Sequence, residues 1–217
     1  METKGNNSTA VMQRRLEPKD SFDDFPTPPW ATRALIEYVI GREQVKDQTC
    51  WEPAANRGYM SRALQEYFQY VIESDIVDYG DRIGSSFDFL SAKLDLADPP
   101  VHWIITNPPF NKAEQFIKKA QEIATCGVAM LVRTSFLEGV KRHTTLFRGN
   151  NPDIVAQFSE RVPMIKGRYD PKATTATSYA WLVWYKESEK ILFKKTELVW
   201  IPPCRKQLER AEDVNLS

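Results

Sequence analysis

The sequence predicts an α/β fold: a mainly parallel sheet covered by helices on both faces, with an antiparallel addition at its C-terminal edge. Two observations carry this. Between residues 30 and 147, apolar runs of strand length alternate with longer segments whose apolar residues recur at helical spacing, the pattern of βαβ units. Beyond residue 150, apolar runs follow one another without a helical segment between them, and a strand-rich end of this kind adds antiparallel pairing to a parallel sheet. A length of 217 residues suits one domain with a full core.

Each element has its own justification. Pro28-Pro29 open residues 30–40, where Leu35, Ile36, Val39 and Ile40 share a face, and Gly41 follows; proline at the start and glycine past the end frame a helix. Residues 49–51 read as a strand, 52–58 as a turn and 59–68 as a helix with Met60, Leu64 and Phe68 on one side. A strand over 70–73 ends near Asp75. An irregular stretch holding Asp88-Phe89-Leu90 leads to a buried strand at 101–105. A helix over 113–124 (Phe116, Ile117, Ala120, Ile123), a strand over 127–132 and a helix over 138–147 come next. The later strands are expected at 154–158, 162–165, 179–185 and 197–201, with Trp181 and Trp184 as packing residues. The expected organisation is a flexible tail at 1–20, a single domain at 21–203 with a basic hairpin insertion at 166–178, and a C-terminal tail at 204–217. Arg14 and Arg15 are candidate phosphate contacts in a segment that a plain solvated tail also explains.

Composition excludes several classes. The 29 Lys and Arg balance the 29 Asp and Glu, which argues against a histone-like binder but leaves room for a local basic groove. Positive residues do gather in the C-terminal half: Arg133, Lys141, Arg142, Arg148, Arg161, Lys166, Arg168 and Lys172. No apolar run reaches membrane-spanning length, and the polar N-terminus lacks the apolar core of a secretory signal. Cys50, Cys126 and Cys204 are dispersed, and His102 and His143 have no companions. Neither a disulfide framework nor a metal site is expected, and a reducing cytoplasmic setting fits best.

Thr106-Asn107-Pro108-Pro109-Phe110 closes the strand at 101–105. The Asn side-chain oxygen can accept one N–H, a carbonyl held rigid by the Pro-Pro segment can accept a second, and Phe110 can stack on a planar ring. The same residues also make a strand-ending turn. Upstream, Trp51-Glu52-Pro53-Ala54-Ala55-Asn56-Arg57-Gly58 joins a strand to a helix with small residues that let a ligand approach the backbone. It is neither a P-loop nor a G-x-G-x-x-G loop. About twenty residues further on, Asp75 sits where α/β units place a ribose-binding acid, with Glu73 and Asp78 as competitors. In such sheets, ligands bind beyond the carboxyl ends of the strands, where Glu52, Asp75, Asp88 and Asn107 all fall.

In this order the motifs resemble those of S-adenosylmethionine-dependent amino-methyltransferases, and most nearly the N6-adenine DNA methyltransferases of small phage and prophage type, with a gamma-like arrangement. Phe25-Pro26-Thr27-Pro28 is similar to the family's motif before the first strand, Glu52 to Gly58 to its cofactor loop, Asp75 to its ribose acid, and Asp88-Phe89 to its adenine-contacting pair. Asn107-Pro108-Pro109-Phe110 is similar to its catalytic tetrapeptide. The resemblance covers roughly residues 25–184. Asn56 stands where the family usually has Gly, and Asn is the side chain that best tolerates a left-handed backbone. Many adenine enzymes carry Asp-Pro-Pro-Tyr or Asp-Pro-Pro-Trp. The Asn-Pro-Pro-Phe of this chain also resembles enzymes that methylate RNA adenine or protein glutamine.

The resemblance implies a Rossmann-like class I methyltransferase with a seven-stranded sheet and S-adenosylmethionine as cofactor. It implies cofactor contacts from Phe25, Thr27, Pro28, Glu52, Pro53, Ala54, Gly58, Asp75, Asp88, Phe89 and Asn107, and catalysis at Asn107, Pro108, Pro109 and Phe110. The reaction expected is methyl transfer to adenine N6 in DNA, with the base flipped out of the duplex. Methylation of RNA adenine or protein glutamine, and a non-catalytic nucleic-acid-binding subunit, are the alternatives. The expected partner is DNA, without metal or membrane, in a bacterial or phage-infected cytoplasm. Lys166, Arg168, Tyr169 and Lys172 form the candidate substrate-binding arm, their cations for phosphates and Tyr169 for stacking; a solvated hairpin loop is the competing reading. With so few recognition elements, sequence specificity should be short or relaxed.

Overall fold

A computed structural model of the chain describes residues 23–79, 86–91, 100–186 and 195–214. The tail at 1–20, with Arg14 and Arg15, lies outside the described residues. The strands are β1 (Thr49–Glu52), β2 (Tyr70–Glu73), β3 (Trp103–Thr106), β4 (Gly127–Arg133), β5 (Ile154–Phe158), β6 (Tyr179–Tyr185) and β7 (Glu197–Ile201). They form one seven-stranded sheet in the order β2-β1-β3-β4-β6-β5-β7. β1 is parallel to β2 and β3, and β3 to β4. Antiparallel pairing is confined to the C-terminal side, where β6 runs against both β4 and β5, and β7 lies parallel to β5.

Strand alternation divides the core between the two faces. On one side Cys50, Trp103, Ile105, Leu131, Trp181 and Val183 pack under helices α1 (Pro29–Leu35) and α2 (Tyr59–Gln65). On the other, Ile104, Val128, Met130, Leu182 and Trp184 pack under α3 (Ala113–Ile123), which supplies Phe116, Ile117 and Ala120. Successive residues of each strand thus point to opposite faces, as the pleat requires. The indole N–H of Trp181 donates to the Ala31 carbonyl at 3.1 Å and ties β6 to α1. Gly127 opens β4 because a Cβ there would fall 2.5 Å from the Trp103 ring.

The helix expected over 30–40 is present, its last turn widened from Ile36 to Ile40, where Gly41 N–H bonds the Ile36 carbonyl. The helix expected over 138–147 is displaced and irregular. Gly139, at φ 120, breaks it, and helical turns run instead from Val140 to Asn150. Residues 162–165 do not form a strand. Val162 is buried in the core, but Pro163 has no N–H to give a ladder. Ile165 pairs with Arg168 alone, around Gly167 at φ 82. His102 accepts the Thr49 N–H at Nδ1 and serves the sheet.

The segment expected to be a C-terminal tail is packed through its described part. Arg205–Leu208 is helical, and Asp213, 3% exposed, forms a bidentate pair with Arg33, with both N–O distances 2.7 Å. Arg33 also binds Glu66 and the Leu208 carbonyl, each at 2.7 Å. A guanidinium needs such a set when buried, because desolvation is offset only by full pairing. Among the described residues no helix is long and apolar enough to cross a membrane.

Removing one member of a buried ionic group leaves the other charge uncompensated. Asp213→Ala should therefore lower unfolding stability by about 3 kcal/mol in urea titration. A loss below about 1 kcal/mol would show that the Arg33–Asp213 pair contributes no more than an exposed one.

Candidate active site

The carboxyl ends of β2, β1 and β3 lie side by side, and the chain leaving each one lines a cavity of about 390 Å³. The segment before α1 closes the same space. Of the expected cofactor residues, Phe25, Thr27, Glu52, Pro53 and Ala54 line it, as do Asp75, Asp88, Phe89 and Asn107. Glu73 and Asp78 do not, so position favours Asp75 among the three acids. Pro28 and Gly58 fall outside the lining. Pro28 precedes the first turn of α1, and Gly58, at φ 73, precedes α2. Both shape the backbone rather than the wall.

The loop after β1 takes its form from two left-handed residues and one carboxylate. Asn56 adopts φ 51, as its place in the loop requires. Asp75 accepts the Asn56 N–H at 2.9 Å through Oδ2 and the Val77 N–H at 2.9 Å through Oδ1. Burial raises its pKa, and these backbone donors counter the shift. Glu52 is 2% exposed and hydrogen-bonded to the Ser61 hydroxyl. Burial pushes its carboxyl well above the usual range; the Ser61 bond opposes this, and the carboxylates of Glu73 and Asp75 add to it. Asp88 accepts the Leu90 N–H at 3.0 Å and starts a short turn. Phe89 packs edge-on against Trp51 at 5.1 Å and, tilted, against Phe116 at 5.0 Å, so its ring belongs as much to the core as to the wall.

Asn107 has the most informative environment. Its Nδ2 donates to the Thr27 hydroxyl at 3.2 Å and to the Phe25 carbonyl at 3.4 Å. A backbone carbonyl can only accept, so the amide orientation is fixed and Oδ1 faces the other way. That oxygen is buried without a hydrogen-bond partner. Among the described residues with such an orphaned side-chain atom, Asn107 is the one that lines this cavity. Pro109 lines it too, while Pro108 is buried. Phe110 is held by its N–H, which donates to Asp23 Oδ2 at 2.7 Å. Its ring lies against Phe25 at 5.7 Å and under the Arg133 guanidinium, 3.9 Å from the ring centroid.

Asp23 and Asp24 escaped the sequence reading. Asp23 lines the cavity and holds Phe110. Asp24 accepts from Asn56 Nδ2 at 3.0 Å and pairs with Arg57 at 2.8 Å, and its carbonyl takes the Gly167 N–H at 2.8 Å. The available signal was an acidic pair directly before Phe25-Pro26-Thr27-Pro28. Tyr79 and Lys112 also line the cavity, and no sequence pattern marked them.

The basic insertion divides. Lys166, Arg168 and Lys172 are exposed, with Arg168 3.7 Å from Asp170. Tyr169 is not a free stacking residue: it is 8% exposed, packs on Tyr59 at 5.5 Å and donates its hydroxyl to Glu209. An apolar ring with a polar tip anchors a loop as readily as it binds a base, and Glu209 supplies the partner that the sequence did not reveal. Among the described residues no group of three or more His, Cys, Asp or Glu side chains is placed to hold a metal ion.

No family model matches the sequence, and no curated protein sequence matches it significantly. Solved structures do match. The M protein of the Type I restriction enzyme EcoKI is 14% identical with a TM-score of 0.56, over 84% of this chain and 50% of that one. The type I restriction-modification methyltransferase subunit from Streptococcus thermophilus is 12% identical with a TM-score of 0.51, over 90% of this chain and 50% of that one. The chain thus spans about half the length of these two subunits. At such identities the likeness shows the fold alone, a Rossmann-like sheet with an antiparallel C-terminal edge.

Proposed function

We propose that the protein transfers a methyl group from S-adenosylmethionine to the exocyclic N6 of adenine in DNA. The observation that carries the reading is the Asn107 amide, whose nitrogen is anchored while its oxygen is buried and unpaired beside the cavity. An unmet buried acceptor costs roughly 1–3 kcal/mol, and a ligand N–H would recover it. The cavity suits the cofactor in chemistry as well as size: a small-residue loop with Asn56 and Gly58 left-handed, an acid at Asp75, and the aromatic wall of Phe87 and Phe89. The two structural neighbours described above are named as methyltransferase or M subunits of type I restriction systems, which accords with DNA as substrate.

In this reading the cofactor supplies an electrophilic methyl group, and the chain's own residues do the positioning. Asn107 Oδ1 and the Pro108 carbonyl accept the two hydrogens of the target amino group. Its lone pair then points toward the methyl donor. As the N–C bond forms and the S–C bond breaks, the amino nitrogen becomes cationic and sheds one proton to water. No catalytic His or Cys is needed, because catalysis rests on orientation and fixed dipoles. Extruding the base costs a few kcal/mol, and stacking on Phe110 returns about 1–3 kcal/mol. Lys166, Arg168 and Lys172 hold phosphates from the flanking strand.

Labelled methyl transfer tested on DNA, RNA and protein should yield N6-methyldeoxyadenosine. Label recovered in an RNA nucleoside or in glutamine instead would overturn the choice of substrate. Sequencing the methylated DNA should show a short or relaxed context, and a single defined site of about six bases or more would contradict it. Asn107→Ala should slow transfer by about 10²–10³-fold while calorimetry finds cofactor binding little changed; loss of cofactor binding would remove Asn107 from its assigned role.

Glu52 gives a test by pH. Its folded pKa lies above the ordinary 4.5, so below that value both states are protonated and nothing is lost. As pH rises, the unfolded chain ionises first and stability falls. Glu52→Gln should therefore melt higher than the wild type at pH 7.5 and nearly equal at pH 4. Because the carboxyl ionises more readily beside a cationic ligand, the same change should weaken cofactor binding by about tenfold or more. A variant that melts lower at both pH values would refute this account.

A further inference from the structure

Phe110 is offered above as the ring on which the target base stacks, yet the ring is already covered. The guanidinium carbon of Arg133 sits over it, 3.9 Å from the centroid. Phe25 takes a second, tilted contact at 5.7 Å. Arg133 is the last residue of β4, adjacent in the sheet to the strand that delivers Asn107, and its side chain is exposed. A guanidinium carbon 3.9 Å from the ring centroid occupies the space that a stacked purine would need.

A base could enter in two ways, and charge decides between them. In the first, the base slides between Phe110 and Arg133, which then clamps its outer face. In the second, Arg133 leaves. Methyl transfer places positive charge on the base, and a guanidinium stacked upon it would repel that charge by roughly 3–4 kcal/mol at 4–5 Å in a protein-surface dielectric. A clamp of this kind opposes the reaction it would serve. The nearest alternative for an exposed guanidinium beside an extruded nucleotide is a phosphate, which accepts it bidentately.

We propose that Arg133 plugs the target-base seat on Phe110 in the free protein and moves to a backbone phosphate when a base enters. The residue thereby couples occupation of the seat to the presence of a nucleic-acid backbone. A lone nucleoside must displace the cation without offering it a partner, whereas a nucleotide within a strand supplies one. The inference rests on the reading of Phe110 as the base platform.

Two probes test it, adenosine and a single-stranded DNA oligonucleotide bearing one adenine among thymines, both with S-adenosylhomocysteine filling the cofactor cavity. Arg133→Ala should bind adenosine about two- to fivefold more tightly, since the cation–π contact no longer competes. It should bind the oligonucleotide more weakly, with the slope of log K against log salt reduced by about 0.7. Arg133→Lys should keep that slope. Opposite signs for the two probes would not follow from a merely structural role. Adenosine binding unchanged or weakened in Arg133→Ala, or an unchanged salt slope, would overturn the proposal. These outcomes are read by binding alone. Absence of methyl transfer to any nucleic acid by the wild type would instead refute the function on which the proposal rests.

Discussion

The site is held together by a strap of five residues that belongs to no strand. Asp23 fixes the Phe110 backbone, Asp24 binds the loop at Asn56 and Arg57, and the Phe25 carbonyl and Thr27 hydroxyl hold the Asn107 amide. The Asp24 carbonyl also receives Gly167 from the basic insertion. Three segments remote in sequence are thereby fixed in register by one short stretch. Carboxylates and carbonyls suit the task because what they meet are N–H donors left over at strand and loop ends. Without the strap, the Asn107 amide would be free to rotate, and its oxygen would find a partner other than a ligand.

Preorganisation of this kind leaves local costs. Glu52 is buried with other carboxylates close enough to raise its pKa, and Asn107 Oδ1 has no partner. Both are unfavourable terms in the isolated fold, and both sit at the cavity. Such terms persist when the surrounding structure over-determines them. Here the extensive packing on both faces of the sheet supplies that surplus.

Much of this was legible in the sequence, and the reason differs by element. β2, β5, β6 and β7 fall at their expected boundaries because their apolar runs end abruptly at polar or turn residues. Asn107 and Asp75 were visible because strand-end chemistry is local. What was not legible depends on partners far along the chain. Tyr169 looks free until Glu209 and Tyr59 are found beside it. Residues 162–165 are a different case, since Pro163 stands in the sequence itself and already denies a ladder its donor. Arg133 looks like one of many cations until β4 carries it to Phe110.

The Arg33 pairing reaches beyond static stability. The two partners are separated by 180 positions, so α1 leaves the ribosome long before its counter-charge is made. Glu66 can pair with Arg33 in the interval, but half of the guanidinium stays wet until residues 208–213 have emerged. Docking of residues 205–214 is thus a late event in assembly, since contacts of such long range bear the largest closure entropy. Were the same segment to lift away, Arg33 would lose Asp213 and the Leu208 carbonyl together and keep Glu66. The order in which the molecule is assembled is thus written into one buried arginine.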